Sequence, residues 1–297
     1  MSSAPRFLRY LNWLLNPTHR LETSEVYDLL DTASLTDNGL YLNLGYWEHA
    51  DTINEASRAL AMLVADRGGM TSDDTVLDCG FGFGDQDILW AKTHQPARII
   101  GLNITASQVE RARQRVAEAG LEHRVDLHEG SATRMPVTDQ SIDLVVALES
   151  AFHFRTRENF FREAMRVLRP GGRLVTADIL PMPPSDDGRA RLRQRLSWWL
   201  VASRFNIPRE NAYLSGVYRQ KLEQANFESV TVTSIRNSVY APLHEFLGAN
   251  PDFLERQHPL ARLFARATLT RKASNVYAGL DYVVADATKP ETPALGS

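Results

Sequence analysis

Apolar residues recur at two periods along the chain, and the change of period divides it. In the first 70 residues Phe7, Leu8, Leu11, Leu14 and Leu15 fall at helical spacing. A turn-rich Asp37–Asn38–Gly39 follows, then the aromatic run Tyr41–Trp47. A second helix is predicted over Asn54–Arg67, stopped by Gly68 and Gly69. From 73 to 180 strands and helices alternate. Short apolar runs at Thr75–Cys79, Arg98–Ile104, Val125–His128, Ile142–Leu148 and Arg173–Leu180 predict strands. Ile142–Leu148 is apolar almost throughout, the pattern of a strand covered on both faces. Helices are expected between them from near Asp85, from Thr105 to Gly120, and over Arg157–Leu168, the last stopped by Pro170-Gly-Gly172. Thr105 and Gln108 have the spacing of a capping box, and Gly120 suits a left-handed residue past a helix end. Such alternation implies right-handed crossovers and a parallel sheet with helices on both faces.

Beyond 180 the pattern changes. Pro181–Pro184 reads as a linker, and Arg189–Phe205 and Asn211–Ala225 as helices. Ser229–Ile235 alternates β-branched and polar residues as a strand does. Pro242–Tyr277 is expected to be largely helical and Asp281–Ala287 to form a last strand. The tail 288–297, with two prolines and a glycine, is expected to be disordered.

Composition narrows the function classes. The chain has 297 residues, 33 basic against 36 acidic, for a net charge of −3. That is not the strongly basic balance of a dedicated nucleic-acid binder. Cys79 is the only cysteine, which excludes an intramolecular disulfide framework and a cysteine zinc cluster and fits a reducing cytosol. The apolar stretch Phe7–Leu15 is broken by Arg9 and Asn12, and no window of about 18 apolar residues occurs, so no integral membrane association is expected. His123 and His128 are five apart and complete no ligand pattern, so no metal is expected.

The strongest chemical signal is Val76-Leu-Asp-Cys-Gly-Phe-Gly-Phe-Gly84. A strand runs into a glycine loop and then a helix, which brings backbone close to a ligand at the carboxyl end of the sheet. A dinucleotide fingerprint would need glycine where Asp85 stands, and the Gly-Lys-Ser/Thr of a phosphate loop is absent. Asp78, just before the loop, suits a ligand carrying an ammonium group.

Here the chain resembles the class I S-adenosylmethionine-dependent methyltransferases, and among them the sugar O-methyltransferases of antibiotic pathways. The resemblance spans about residues 41–180. It rests on Leu44-Gly-Tyr-Trp47, Leu77–Gly84, Gly101-Leu-Asn-Ile104, Gln108, Ala147-Leu-Glu-Ser150, Arg166-Val-Leu-Arg-Pro-Gly-Gly172 and Thr176-Ala-Asp178. It implies a Rossmann-like α/β fold with a seven-stranded, mostly parallel sheet. The implied layout is a helical N-terminal lid over 1–70, a cofactor-binding core over 71–180, a helical substrate cap over 181–227 and a completion of the sheet over 228–287. S-adenosylmethionine is the implied cofactor. Asp78, Gly80, Gly82 and Gly84 would hold its methionine part, and Asn103, Ile104 and Gln108 would lie near the ribose. Ser131 and Ala132 would meet the adenine edge, and Leu148 and Glu149 would line the methionine end through backbone groups. Tyr27, Tyr46 and Trp47 would close over the sulfonium.

For the reaction, a general base is sought. His153 follows the fourth strand, Asp178 ends the fifth, and in an open α/β sheet those two ends face one cleft. A carboxylate beside the imidazole would fix its tautomer. Phe152 stands where related proteins often carry a second histidine. On the substrate side, Phe152, Trp198, Trp199 and Phe205 are the expected walls, and Arg189, Arg191, Arg193 and Arg195 crowd the start of that helix. A basic helix with tryptophans also suits a membrane surface. The resulting expectation is O-methylation of a small molecule. C- or N-methylation of an isoprenoid, lipid or amine is the alternative, and a degenerate cofactor-binding scaffold is the non-enzyme one. A homodimer is left open.

Overall fold

The computed structural model describes residues 39–250 and 266–291. Tyr27, the Phe7–Leu15 helix, most of the 1–70 lid and the end of the tail lie outside the described residues. Strand β1 (Thr75–Cys79) sits mid-sheet, with β2 (Arg98–Asn103) and β4 (Ile142–Leu148) parallel on either side. Outside them run β3 (Val125–Glu129) and β5 (Leu168–Pro181), also parallel. Two further strands, β6 (Glu228–Ser234) and β7 (Leu280–Thr288), finish the sheet antiparallel, in the order β3-β2-β1-β4-β5-β7-β6. The order reverses between β1 and β4, and the crevice outside the carboxyl ends of those strands is where such sheets bind ligands.

Side chains alternate across the pleat and build two apolar layers. Val76, Val146 and Val175 pack with α1 (Ile53–Arg67), α2 (Asp85–Thr93) and α3 (Ala106–Glu118) through Leu60, Trp90, Val109 and Ala112. Leu77, Val145 and Leu174 face the other way, toward Phe160 and Phe161 of α4 (Arg157–Val167) and Tyr218 and Leu222 of α6 (Ser215–Gln224). Between these, α5 (Gly188–Arg204) follows β5. Helices α7 (Tyr240–Ala249) and α8 (Ala273–Val276) lie in the stretch before β7.

Two local expectations are corrected. The capping box belongs to α1, where Thr52 and Glu55 bond each other's backbone. At α3 the Thr105 side chain makes no cap bond, and the Thr105 N–H that Gln108 was expected to meet is taken by Asn103 Oδ1 at 3.1 Å. Pro170-Gly-Gly172 does not precede the fifth strand but lies inside it. Pairing with β4 jumps from Ile142↔Leu168 to Leu144↔Arg173, so the turn is absorbed as a bulge, with Gly171 at φ +74°.

One polar group lies at the centre of the second layer. The Arg157 guanidinium is fully buried and meets Asp178 twice, Nε to Oδ2 at 2.8 Å and Nη2 to Oδ1 at 2.9 Å. It also donates to the Ile179 and Asn211 carbonyls and lies over the rings of Tyr213 and Tyr218. The Tyr218 hydroxyl donates to Asp178 Oδ2 at 3.2 Å. A buried ion is tolerated only when its charge and its donors are met, and removing one partner typically costs about 3–5 kcal/mol. Asp178→Asn is therefore expected to lower stability by about 3–5 kcal/mol, read as a shifted urea midpoint at unchanged slope. A loss below about 1 kcal/mol would show that the ion pair is not what holds this layer.

Candidate functional site

The glycine loop makes one wall of a cavity of about 290 Å³ at the carboxyl ends of β1, β2 and β4. Gly80 has φ +98°, and a Cβ there would lie 2.4 Å from that of Ser150, so glycine lets the loop pass against the turn after β4. Gly82, at φ +59°, faces the cavity and Leu42. Gly84 does not line it. That glycine starts α2 at φ +78°, where a Cβ would press on Ala112 of α3 at 3.3 Å.

Asp78 also stands back from the cavity wall. It is fully buried, and its Oδ2 accepts from Gln86 Nε2 at 3.0 Å, while Gln86 itself lines the cavity. The amide, a residue the sequence reading passed over, is thus the group presented. Burial raises the pKa of both Asp78 and its neighbour Asp87, making them weaker acids, and the Asp78 charge pushes Asp87 further.

The opposite wall comes from β2 and α3. Asn103, Ile104 and Gln108 all line the cavity, as do Ser131 and Ala132. Asn103 is already engaged: its Nδ2 donates to the Gly82 carbonyl and to Gln108 Oε1, and its Oδ1 holds Thr105. It positions Gln108 rather than offering an open amide. Gln108 Nε2 is buried and lacks an acceptor among the described residues. An unmet buried donor costs about 1–3 kcal/mol, which a ligand hydroxyl would recover. Ile104 is 51% exposed at the mouth, an apolar surface suited to a flat ring.

The third wall is the end of β4. Leu148 and Glu149 line the cavity. Glu149 donates its N–H to the Ala177 carbonyl at 2.8 Å and sits at φ +49°. Its Oε1 accepts both the Leu44 N–H at 2.7 Å and the Tyr282 hydroxyl at 2.6 Å. Burial raises its carboxyl to about 7, against the pull of those two donors. Leu44 belongs to the segment before α1, whose Leu40, Leu42 and Asn43 form the cavity's roof. Of the aromatics expected to close it, Tyr46 and Trp47 do not line it. Trp47 is buried, bonded to the Leu44 carbonyl and tilted against Phe246 at 5.0 Å, and Tyr46 packs on the core. They anchor the segment that Leu42 and Asn43 present.

His153 ends the turn Ala151–His153 and lines the cavity. It does not meet Asp178, whose carboxylate is taken by Arg157, so the expected dyad is absent. The imidazole instead bonds the Phe205 backbone and lies beside the Phe152 ring at 4.2 Å and the Phe205 ring at 6.3 Å. Burial, with the Arg157 charge behind it, pushes its basicity down to about 3. The substrate walls are corrected in part. Phe152 is buried, touches Phe205 edge-on at 6.5 Å and does not line the cavity. Trp198 packs on the core, and Trp199 is 52% exposed beside Leu196 and Leu192, off the cavity.

The methyltransferase domain family matches residues 77–176, from β1 through the middle of β5. The erythromycin 3''-O-methyltransferase of Saccharopolyspora erythraea is 36% identical over 274 residues, covering 89% of each chain. The 27-O-demethylrifamycin SV methyltransferase of Amycolatopsis mediterranei is 33% identical, covering 91% of this chain and 97% of its own. Among solved structures, the cyclopropane synthase MmaA2 of Mycobacterium tuberculosis superposes with a TM-score of 0.73 at 17% identity over 92% of this chain and 100% of its own, a likeness of fold. With this fold, this cavity and these relatives, the chain belongs to the class I S-adenosylmethionine-dependent methyltransferases that act on small molecules.

Proposed function

We propose that the protein methylates a hydroxyl group of a small-molecule natural product. The observation that carries the reading is the cavity at the sheet's switch point, whose Gln108 donor lacks an acceptor among the described residues while Ile104 offers an open apolar face. Gly80, Gly82, Gln108, Ser131 and the backbone of Glu149 would hold the cofactor, with Asp78 acting through Gln86. Both antibiotic-pathway relatives carry an O-methylation in their names, which supports oxygen as the acceptor atom.

When bound, S-adenosylmethionine supplies an electrophilic methyl group on a sulfonium. The protein's task is then orientation and exclusion of water. The roof built by Leu40, Leu42 and Asn43 excludes water, and its position is fixed by Leu44 N–H on Glu149 and Leu40 N–H on Asp85 at 3.1 Å. Carbocation or ammonium chemistry would draw on an aromatic wall at Phe152, but that ring is buried off the cavity. The test is labelled cofactor offered with hydroxylated macrolide glycosides, a prenyl diphosphate and an amino-acid amine. A methyl ether is expected from the glycosides; methylation of the diphosphate or the amine alone would overturn the reading.

Two variants follow. Gly82→Val puts a branched side chain into the cavity at a left-handed φ, so S-adenosylhomocysteine affinity by calorimetry should fall at least ~10-fold, about 1.4 kcal/mol. Parental affinity in a folded variant would displace the cofactor from this loop. His153→Ala should cost turnover less than ~10-fold and keep the parental pH profile, since an imidazole of such low basicity takes up a proton poorly near neutral pH. A loss beyond ~100-fold with a changed profile would restore the histidine as base.

A further inference from the structure

With Asp178 bound to Arg157 and His153 held neutral, the cavity needs another group to receive a proton. We infer that the Glu149 carboxylate, held at the end of β4 by the Leu44 N–H and the Tyr282 hydroxyl, takes the acceptor's hydroxyl proton during methyl transfer. This rests on the O-methylation reading above.

The geometry carries it in three ways. Both recorded hydrogen bonds fall on Oε1, at 2.7 and 2.6 Å, so Oε2 keeps its acceptor capacity on a residue that is half-buried and lines the cavity. The residue stands at φ +49°, a conformation costing a side-chain-bearing residue roughly 1–2 kcal/mol. A glycine would sit there without strain, and strain retained at a cavity wall is typical of a group whose side chain acts. Finally, among the described residues no cation neutralises it. The titratable groups around it are Tyr282 of β7, Tyr240 of α7 and Asp178 of β5, whose charge is met by Arg157. His153, from the turn after β4, lines the same cavity uncharged.

The step balances on these groups. As the hydroxyl oxygen forms its bond to the methyl carbon, the carbon–sulfur bond breaks and its electron pair stays on sulfur, giving a neutral thioether. The hydroxyl proton passes to Oε2, and solvent takes it when product leaves. A carboxyl at about 7 is matched to this work, because a general base serves best near the working pH. The acid must be ionised to act, so the rate rises as pH rises through about 7.

The decisive variant is Glu149→Gln. Its amide oxygen still accepts from Leu44 and Tyr282, so the fold and the roof remain. Turnover with the hydroxylated glycoside should fall about 10²–10⁴-fold, the rising pH limb should vanish, and S-adenosylhomocysteine affinity should stay within ~3-fold. Tyr282→Phe removes a donor to the carboxylate and should move the limb to higher pH while keeping the plateau. Infrared difference titration of the S-adenosylhomocysteine complex, with no acceptor present, should show one protonated carboxyl fewer lost near pH 7 in Glu149→Gln than in the parent and in His153→Ala, the signal that remains belonging to buried Asp78. A carboxyl signal unchanged in Glu149→Gln overturns the inference. So does a cofactor affinity that drops beyond ~10-fold while saturated turnover holds, which would make Glu149 a clamp for the cofactor's ammonium. A parent enzyme that methylates none of the hydroxyl compounds overturns the O-methyl reading itself, whereas equal ether formation by parent and Glu149→Gln overturns only the base.

Discussion

A fully buried guanidinium–carboxylate pair constrains more of this structure than any other contact. Arg157 at the start of α4 and Asp178 in β5 are both removed from water, and neither charge is tolerable there without the other. The pair recruits Asn211, which accepts from the Arg157 N–H and donates through Nδ2 to the carbonyls of Phe152 and Phe154. Those two carbonyls flank His153. The ion pair thereby fixes the turn after β4, the turn sets one wall of the cavity, and the carboxylate expected to orient the imidazole is committed to the core.

The same logic gives the cavity a preset shape. Each wall is held by a polar contact whose partner lies in another element: Asn103 to Gly82 across β2 and the glycine loop, Gln86 to Asp78 beneath it, and Leu44 and Tyr282 to Glu149. Glu149 joins the roof, the end of β4 and the antiparallel strand β7 in one hydrogen-bonded group. Methyl transfer from an already activated cofactor asks mainly for such preorganisation. That a carboxyl with an open oxygen occupies the junction links positioning to proton transfer.

Much of this was legible in the sequence because it depends on local pattern. The almost wholly apolar Ile142–Leu148 is a central strand, the glycine alternation at 80, 82 and 84 marks the loop, and Gly120 stands at φ +69° past α3. What escaped depends on long-range partners. Asp178 looked catalytic from its strand end; only the fold shows that a helix start 21 residues earlier brings it a guanidinium. Trp199 and Trp47 looked like ligand walls, yet one faces outward and the other anchors a loop, a difference of helix phase and loop path that composition does not encode. Thr105 and Gln108 had the spacing of a cap, but Asn103 competes for the same N–H. Glu149 carried a signal that could have been used for its side chain: a charged residue directly after a buried strand, at the end where such sheets bind ligands.

The central claim is that Asp178 is structural and that ligand chemistry belongs to the walls around Gln108 and Glu149. A crystal structure of the complex with S-adenosylhomocysteine tests it most directly. The account predicts the ligand in the cavity between the glycine loop and Ile104, an acceptor on Gln108 Nε2, Glu149 still bonded to Leu44 and Tyr282, and Asp178 still bidentate on Arg157. A ligand seated elsewhere, or an Asp178 carboxylate swung from Arg157 onto the His153 ring, would contradict it.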